Sequence, residues 1–110
     1  MKIYIDCDDT LCHYNGVERK YVNAIPIQQN IDKVNTLYDS GHEITIWTAR
    51  GSVTKIDYEE LTKEQLKKWN VKYHNLILGK PAYDLYIDDK SINSITDWND
   101  NSINNILLRI

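Results

Sequence analysis

Three carboxylates crowd into the stretch "KIYIDCDDTLC" (Lys2 to Cys12): Asp6, Asp8 and Asp9. Like charges about 4 Å apart repel by roughly 4 kcal/mol at a partly buried site. A turn alone needs only one Asp and a Gly. The crowding asks for an offsetting charge, and a bound cation is the first candidate. A second acidic pair, Asp88-Asp89, ends "YDLYIDD". Between them, Thr48 and Arg50 end "ITIWTAR", and Lys80 ends "NLILGK".

Taken as one site, these residues suit phosphoryl chemistry. Asp6, Asp8, Asp88 and Asp89 offer hard oxygens with no histidine or cysteine at metal spacing, which favours Mg²⁺ over Zn²⁺. Lys80 is a point charge for a phosphate oxygen, and Thr48 can donate a hydroxyl hydrogen bond to the same group. An Asp carboxylate can attack phosphorus to form an aspartyl-phosphate. Arg50 is expected near the mouth of the site, either on the leaving group or paired with a carboxylate. Asp84 stands four residues before Asp88, about 13 Å along a strand, too far to share its metal.

The elements around these residues explain their convergence. Residues 2–7 alternate apolar and polar and predict a strand. Residues 12–25 carry Asn15-Gly16 and predict a loop or small hairpin. From Pro26, the residues Ile27, Ile31, Val34, Leu37 and Tyr38 share one helical face, with Gly41 as the stop. Residues 42–51 and 74–80 predict two further strands, and 83–90 a fourth. Residues 61–71 predict a second helix, with Thr62 and Gln65 at capping-box spacing. Short helices are expected near 91–97 and 102–108. The order predicts one α/β domain over residues 1–110 with a mainly parallel sheet. In such a sheet all strand C-termini share an edge, and ligands bind there. Four strand ends then deliver Asp6 and Asp8, Thr48 and Arg50, Lys80, and Asp88 and Asp89 to one edge.

These motifs resemble those of the haloacid dehalogenase-like (HAD) superfamily. "DCDDT" resembles its D-x-D-x-T motif, "IWTAR" its hydrophobic strand ending in Thr or Ser, "LGKP" its lysine motif and "YIDDK" its acidic motif. The resemblance implies a three-layer, Rossmann-like domain. It implies that Asp6 is the nucleophile and Asp8 the general acid and then base. It implies that Thr48 and Lys80 hold the phosphoryl group. Mg²⁺ would be bound by Asp6, the main-chain carbonyl of Asp8 and Asp88, with Asp89 behind them. Asp9 stands where Gly is commonest, and its role is open. The segments between motifs are too short for a cap domain, which implies an open site. The style of "TAR" and "GKP…YIDD" is similar to small members linked to bacterial surface-polysaccharide synthesis.

The expected activity is therefore Mg²⁺-dependent hydrolysis of a phosphate monoester, on a small molecule such as a sugar phosphate or on a polymer end. Nucleotides or polynucleotides are the next substrate class. A non-catalytic phospho-acceptor or phosphate-binding module, and a phosphotransferase, are the alternatives. A net charge of −3 gives no bulk sign of nucleic-acid binding. No apolar run has transmembrane length, and the acidic N-terminus is unlike a signal peptide. Two cysteines do not make a disulfide framework, which fits a reducing, cytoplasmic setting. A homo-oligomer is left open.

Overall fold

The structure, a computed structural model, describes residues 1–16 and 18–109. Its centre is a parallel sheet of three strands, β1 (Lys2–Ile5), β4 (Glu43–Thr48) and β5 (Asn75–Leu78), in the order β1-β4-β5. A two-residue hairpin, β2 (Cys12–His13) with β3 (Ile25–Pro26), stands beside it. The helices are α1 (Gln28–Asp39), α2 (Glu59–Lys68) and α3 (Asp100–Leu107). This is a small α/β fold of Rossmann-like type, as the strand-helix rhythm predicts, with no cap domain among the described residues. No helix among the described residues is long and apolar enough to cross a membrane.

Burial follows the periodicities that form each element. β4 is the central strand and is covered on both faces, with Ile44, Thr45, Ile46 and Thr48 buried. β1 alternates, Ile5 inward and Tyr4 outward, where the Tyr4 ring meets Trp47 edge-on. Ile31 and Val34 of α1 and Leu66 of α2 join Ile5, Leu11, Ile44 and Ile46 in the core. Trp69 is buried, whereas Trp47 is half-buried.

Both long helices end in the same device. After α1, Gly41 (φ 94°) donates to the Tyr38 carbonyl and His42 to the Leu37 carbonyl. After α2, Asn70 (φ 57°) donates to Lys67 and Val71 to Leu66. These are Schellman pairs, which need a left-handed residue just past the helix, and Gly and Asn supply it. Each turns the chain back toward the sheet.

Four expectations need correction. Residues 83–90 form no strand, so β1 has a single sheet neighbour among the described residues. Leu85 and Ile87 lie exposed, and the polar groups of the run are satisfied locally. Apolar-polar alternation describes such an exposed run as well as it describes a strand. Residues 91–97 form turns, because the Asn93 side chain takes the Ile95 and Thr96 amides that a helix would use. Pro26 lies in β3, one residue before the Ile27 cap of α1. Thr62 and Gln65 are not a capping pair. They lie inside α2 on its buried face.

Candidate active site

The parallel registers set the geometry of the sheet's C-terminal edge. Ile5 pairs with Ile46, and Thr48 with Leu78. Asp6 thus leaves β1 beside the end of β4, and Lys80 leaves β5 two residues past Thr48. The Lys80 amide donates to the Thr48 carbonyl at 3.1 Å. The Ser52 hydroxyl donates to the Lys80 carbonyl at 2.6 Å. Held on both sides, Lys80 is only 9% exposed, and its ammonium lies 3.5 Å from Asp6 Oδ1. The rings of Trp47 and Tyr83 face the same ammonium at 5.4 and 5.1 Å.

Arg50 takes the second of its two expected roles, paired with a carboxylate, but from an inward position. Instead of reaching the mouth, it is 1% exposed and turned inward. Its Nε donates to Asp8 Oδ2 at 3.1 Å and its Nη2 to Asp8 Oδ1 at 2.9 Å. Its Nη1 donates to Thr62 Oγ1 at 3.1 Å and Gln65 Oε1 at 2.6 Å. The Tyr21 ring stacks on the guanidinium at 4.7 Å. The Tyr14 hydroxyl donates to Asp8 Oδ1 at 2.5 Å, and the Cys12 thiol approaches the same oxygen at 3.4 Å. Arg50 is therefore a partner of Asp8. The helical spacing of Thr62 and Gln65, three residues apart, was the signal for a shared target on one face of α2. Sequence reasoning took it for a cap.

Asp9 now has a conformational explanation. Its φ is 64°, in the left-handed region that Gly and, among other residues, Asn and Asp enter most readily. Its amide donates to the Cys12 carbonyl at 2.8 Å, closing the turn. Its carboxylate pairs with Arg19 at 2.7 Å. The three crowded carboxylates thus each have a cation from the protein itself: Lys80 for Asp6, Arg50 for Asp8 and Arg19 for Asp9.

The electrostatics of the two main carboxylates diverge. Burial raises the Asp6 pKa, and Lys80 recovers only part of the shift, so it ends above the ordinary value. Burial also raises Asp8, but the hydrogen bonds from Arg50 and Tyr14 outweigh it and hold Asp8 below the ordinary value. Asp8 is an anion at neutral pH. Burial and the Asp8 contact push the Tyr14 phenol up, so it stays a donor. The Cys12 hydrogen bond and burial push the Cys7 thiol well up, and both cysteines are buried thiols without a disulfide.

The expected magnesium donors do not come together. Asp88 and Asp89 sit on the exposed 83–90 run, bonded to Tyr86, to each other and, through the Asp89 carbonyl, to Arg109. Among the described residues, the set of His, Cys, Asp and Glu ligand atoms within 4.8 Å of one another is Cys7, Asp8 and Cys12, with Arg50 already against it. Asp6 is paired with Lys80, and neither Asp88 nor Asp89 joins a cluster with it among the described residues. This arrangement does not fit a magnesium ion held by Asp6, Asp8, Asp88 and Asp89.

A cleft of about 320 Å³ opens at the same edge, lined by Gly51, Ser52, Lys55, Ile56, Asp57 and Gly79 among others. Gly51 (φ 81°) is required in its wall, since a Cβ there would lie 2.2 Å from the Ile56 carbonyl oxygen.

No family model matches the sequence, and no curated protein matches it. A crystal structure of a structural-genomics target from Vibrio cholerae is similar over 98% of this chain and 97% of its own, with a TM-score of 0.82 and 26% identity.

Proposed function

We propose that this protein is a phosphomonoesterase of the HAD-like kind, with Asp6 as the group that receives the phosphoryl. The supporting observation is the Asp6–Lys80 pair at the C-terminal edge of the parallel sheet, 3.5 Å apart. A carboxylate beside a nearly buried ammonium is a nucleophile with its own phosphate anchor. A cleft of about 320 Å³ at the same sheet edge, lined by residues that follow β4 and β5, is of the size for a single sugar. A sugar phosphate, of the kind used in polysaccharide synthesis, is the first substrate class, and nucleotides the second.

In this reading an Asp6 oxygen bonds to phosphorus as the ester oxygen leaves and takes a proton from solvent. Lys80 and the Thr48 hydroxyl offset charge on the phosphoryl oxygens. Water then attacks the phosphorus of the aspartyl-phosphate, its proton passes to Asp8, and phosphate leaves Asp6 restored. Asp8, held ionised by Arg50 and Tyr14, has no proton of its own, so its part falls in that second, proton-accepting step. All of these groups belong to the chain itself.

The same ionised Asp8 favours a second reading. An anion has no proton to give an alkoxide leaving group, which suits a phospho-acceptor or a phosphotransferase. Phosphate release from sugar phosphates, nucleotides, 3′-phosphorylated oligonucleotides and phosphopeptides, with and without Mg²⁺ and beside Asp6→Asn, decides between them. Release that disappears in Asp6→Asn is the expected result. Labelling of Asp6 without release would establish the acceptor reading, and neither labelling nor release would overturn both.

A further inference from the structure

We propose that Arg50 is a positioning residue, which sets the plane of the Asp8 carboxylate for proton exchange at the Asp6 site. The inference rests on the phosphomonoesterase reading and adds a residue to it.

The geometry supports a role beyond stability. A buried ion pair is by itself weak evidence of stabilisation, since apolar side chains of similar volume often serve as well. What they cannot do is orient a carboxylate. Arg50 grips Asp8 through two N–H groups on separate oxygens, a fork that fixes both the distance and the plane. The guanidinium is fixed in turn from the far side. Thr62 and Gln65 take its Nη1 donors, and Gln65 Nε2 donates onward to the Tyr21 carbonyl at 2.6 Å. Tyr21 closes the third side with its ring. One chain of contacts therefore runs from α2 through Arg50 to a carboxylate two residues past the nucleophile. Supporting shells of this kind hold reacting groups within fractions of an ångström.

Thr62 does not depend on Arg50 for its own satisfaction, because its hydroxyl already donates to the Tyr58 carbonyl at 2.8 Å. It accepts from Arg50 in addition. Removing the α2 anchor therefore loosens the guanidinium without removing the cation or its contact with Asp8. That separation makes the proposal testable apart from folding.

The experiment is steady-state hydrolysis of p-nitrophenyl phosphate by the wild type, Arg50→Lys, Gln65→Leu and Thr62→Val, beside a thermal melt of each. This substrate needs no proton on its leaving group, so the rate reports the step that uses Asp8 as a base. Arg50→Lys keeps the charge but loses the fork, and a fall in kcat of roughly 10²-fold with KM within about threefold is expected. Gln65→Leu should lose roughly tenfold in kcat with KM unchanged, and Thr62→Val less. Folded variants with wild-type kcat would overturn the proposal. So would a loss confined to KM, which would make Arg50 a substrate ligand. If Arg50→Lys does not fold, Gln65→Leu decides alone. A wild type inactive on every substrate class would overturn the parent reading and this one with it. An active wild type with indifferent variants would overturn only the positioning role.

Discussion

Arg50 and Asp8 meet through two hydrogen bonds, 2.9 and 3.1 Å long, with the guanidinium wholly enclosed. Removing one partner leaves the other charge buried and alone. Asp8→Ala is therefore expected to lose about 3 kcal/mol or more in urea unfolding. The Asp8 pKa is depressed in the folded state, so its contribution is present above the ordinary carboxylate range and lost as pH falls through the folded value. The stability gap between wild type and Asp8→Asn should shrink as pH is lowered from about 5 toward 2.

Asp6 should behave in the opposite sense. Burial holds its folded pKa above the ordinary value despite Lys80. A carboxyl of this kind favours the fold below its unfolded pKa, and the benefit is lost as pH rises through the folded pKa. Asp6→Asn imitates the protonated form. Its melting temperature relative to wild type should therefore climb between about pH 4 and pH 7. A gap that stays flat or narrows would contradict the burial argument.

Asp9 occupies a conformation that costs an ordinary L-residue roughly 1–2 kcal/mol. Asp9→Val should lose about that much or slightly more. Asp9→Gly should come out close to wild type, because the relieved backbone offsets the exposed Arg19 pair, which is worth about 0–1 kcal/mol. Chemical denaturation of the two variants side by side checks the ordering.

Gly51→Ala combines a left-handed backbone with a clash against a main-chain oxygen. A loss of about 2 kcal/mol or more is expected from the two effects together. Because Gly51 lines the cleft, affinity for the leaving group should fall as well, read as a higher KM.

With the carboxylates dispersed, magnesium chloride at about 5 mM is expected to move the melting temperature by less than about 1 °C. A rise of several degrees would mean that Asp88 or Asp89 had been drawn to Asp6.

The parts of this molecule most legible in its sequence are those with a single dominant period. β4 could be read from "ITIWT" because a central strand is apolar on both faces, and the end of α1 from Gly41, whereas the predicted helix 61–71 ran past the left-handed Asn70 that ends α2. The Asp6–Lys80 meeting was legible too, because parallel strands leave their C-terminal residues at one edge. The direction of Arg50 was not. It follows the last strand residue by two, where chain direction and not side-chain alternation decides which way it points. Nor could the 83–90 run be placed. Its pattern matches a strand, but whether a strand forms depends on an edge elsewhere accepting it, which no local pattern encodes.

The sheet has a consequence for the order in which the chain assembles. Among the described residues, Lys2 to Ile5 pair only with Glu43 to Ile46, and both long helices must be threaded as crossovers before the three strands lie side by side. β1, made before β4, therefore waits for it. Helix α1 and β4 are local enough to meet first, and β1 joins by closing a long loop whose entropy is met before any of its contacts form. Since Asp6 follows β1 and Lys80 follows β5, the candidate site is complete only once all three strands lie side by side.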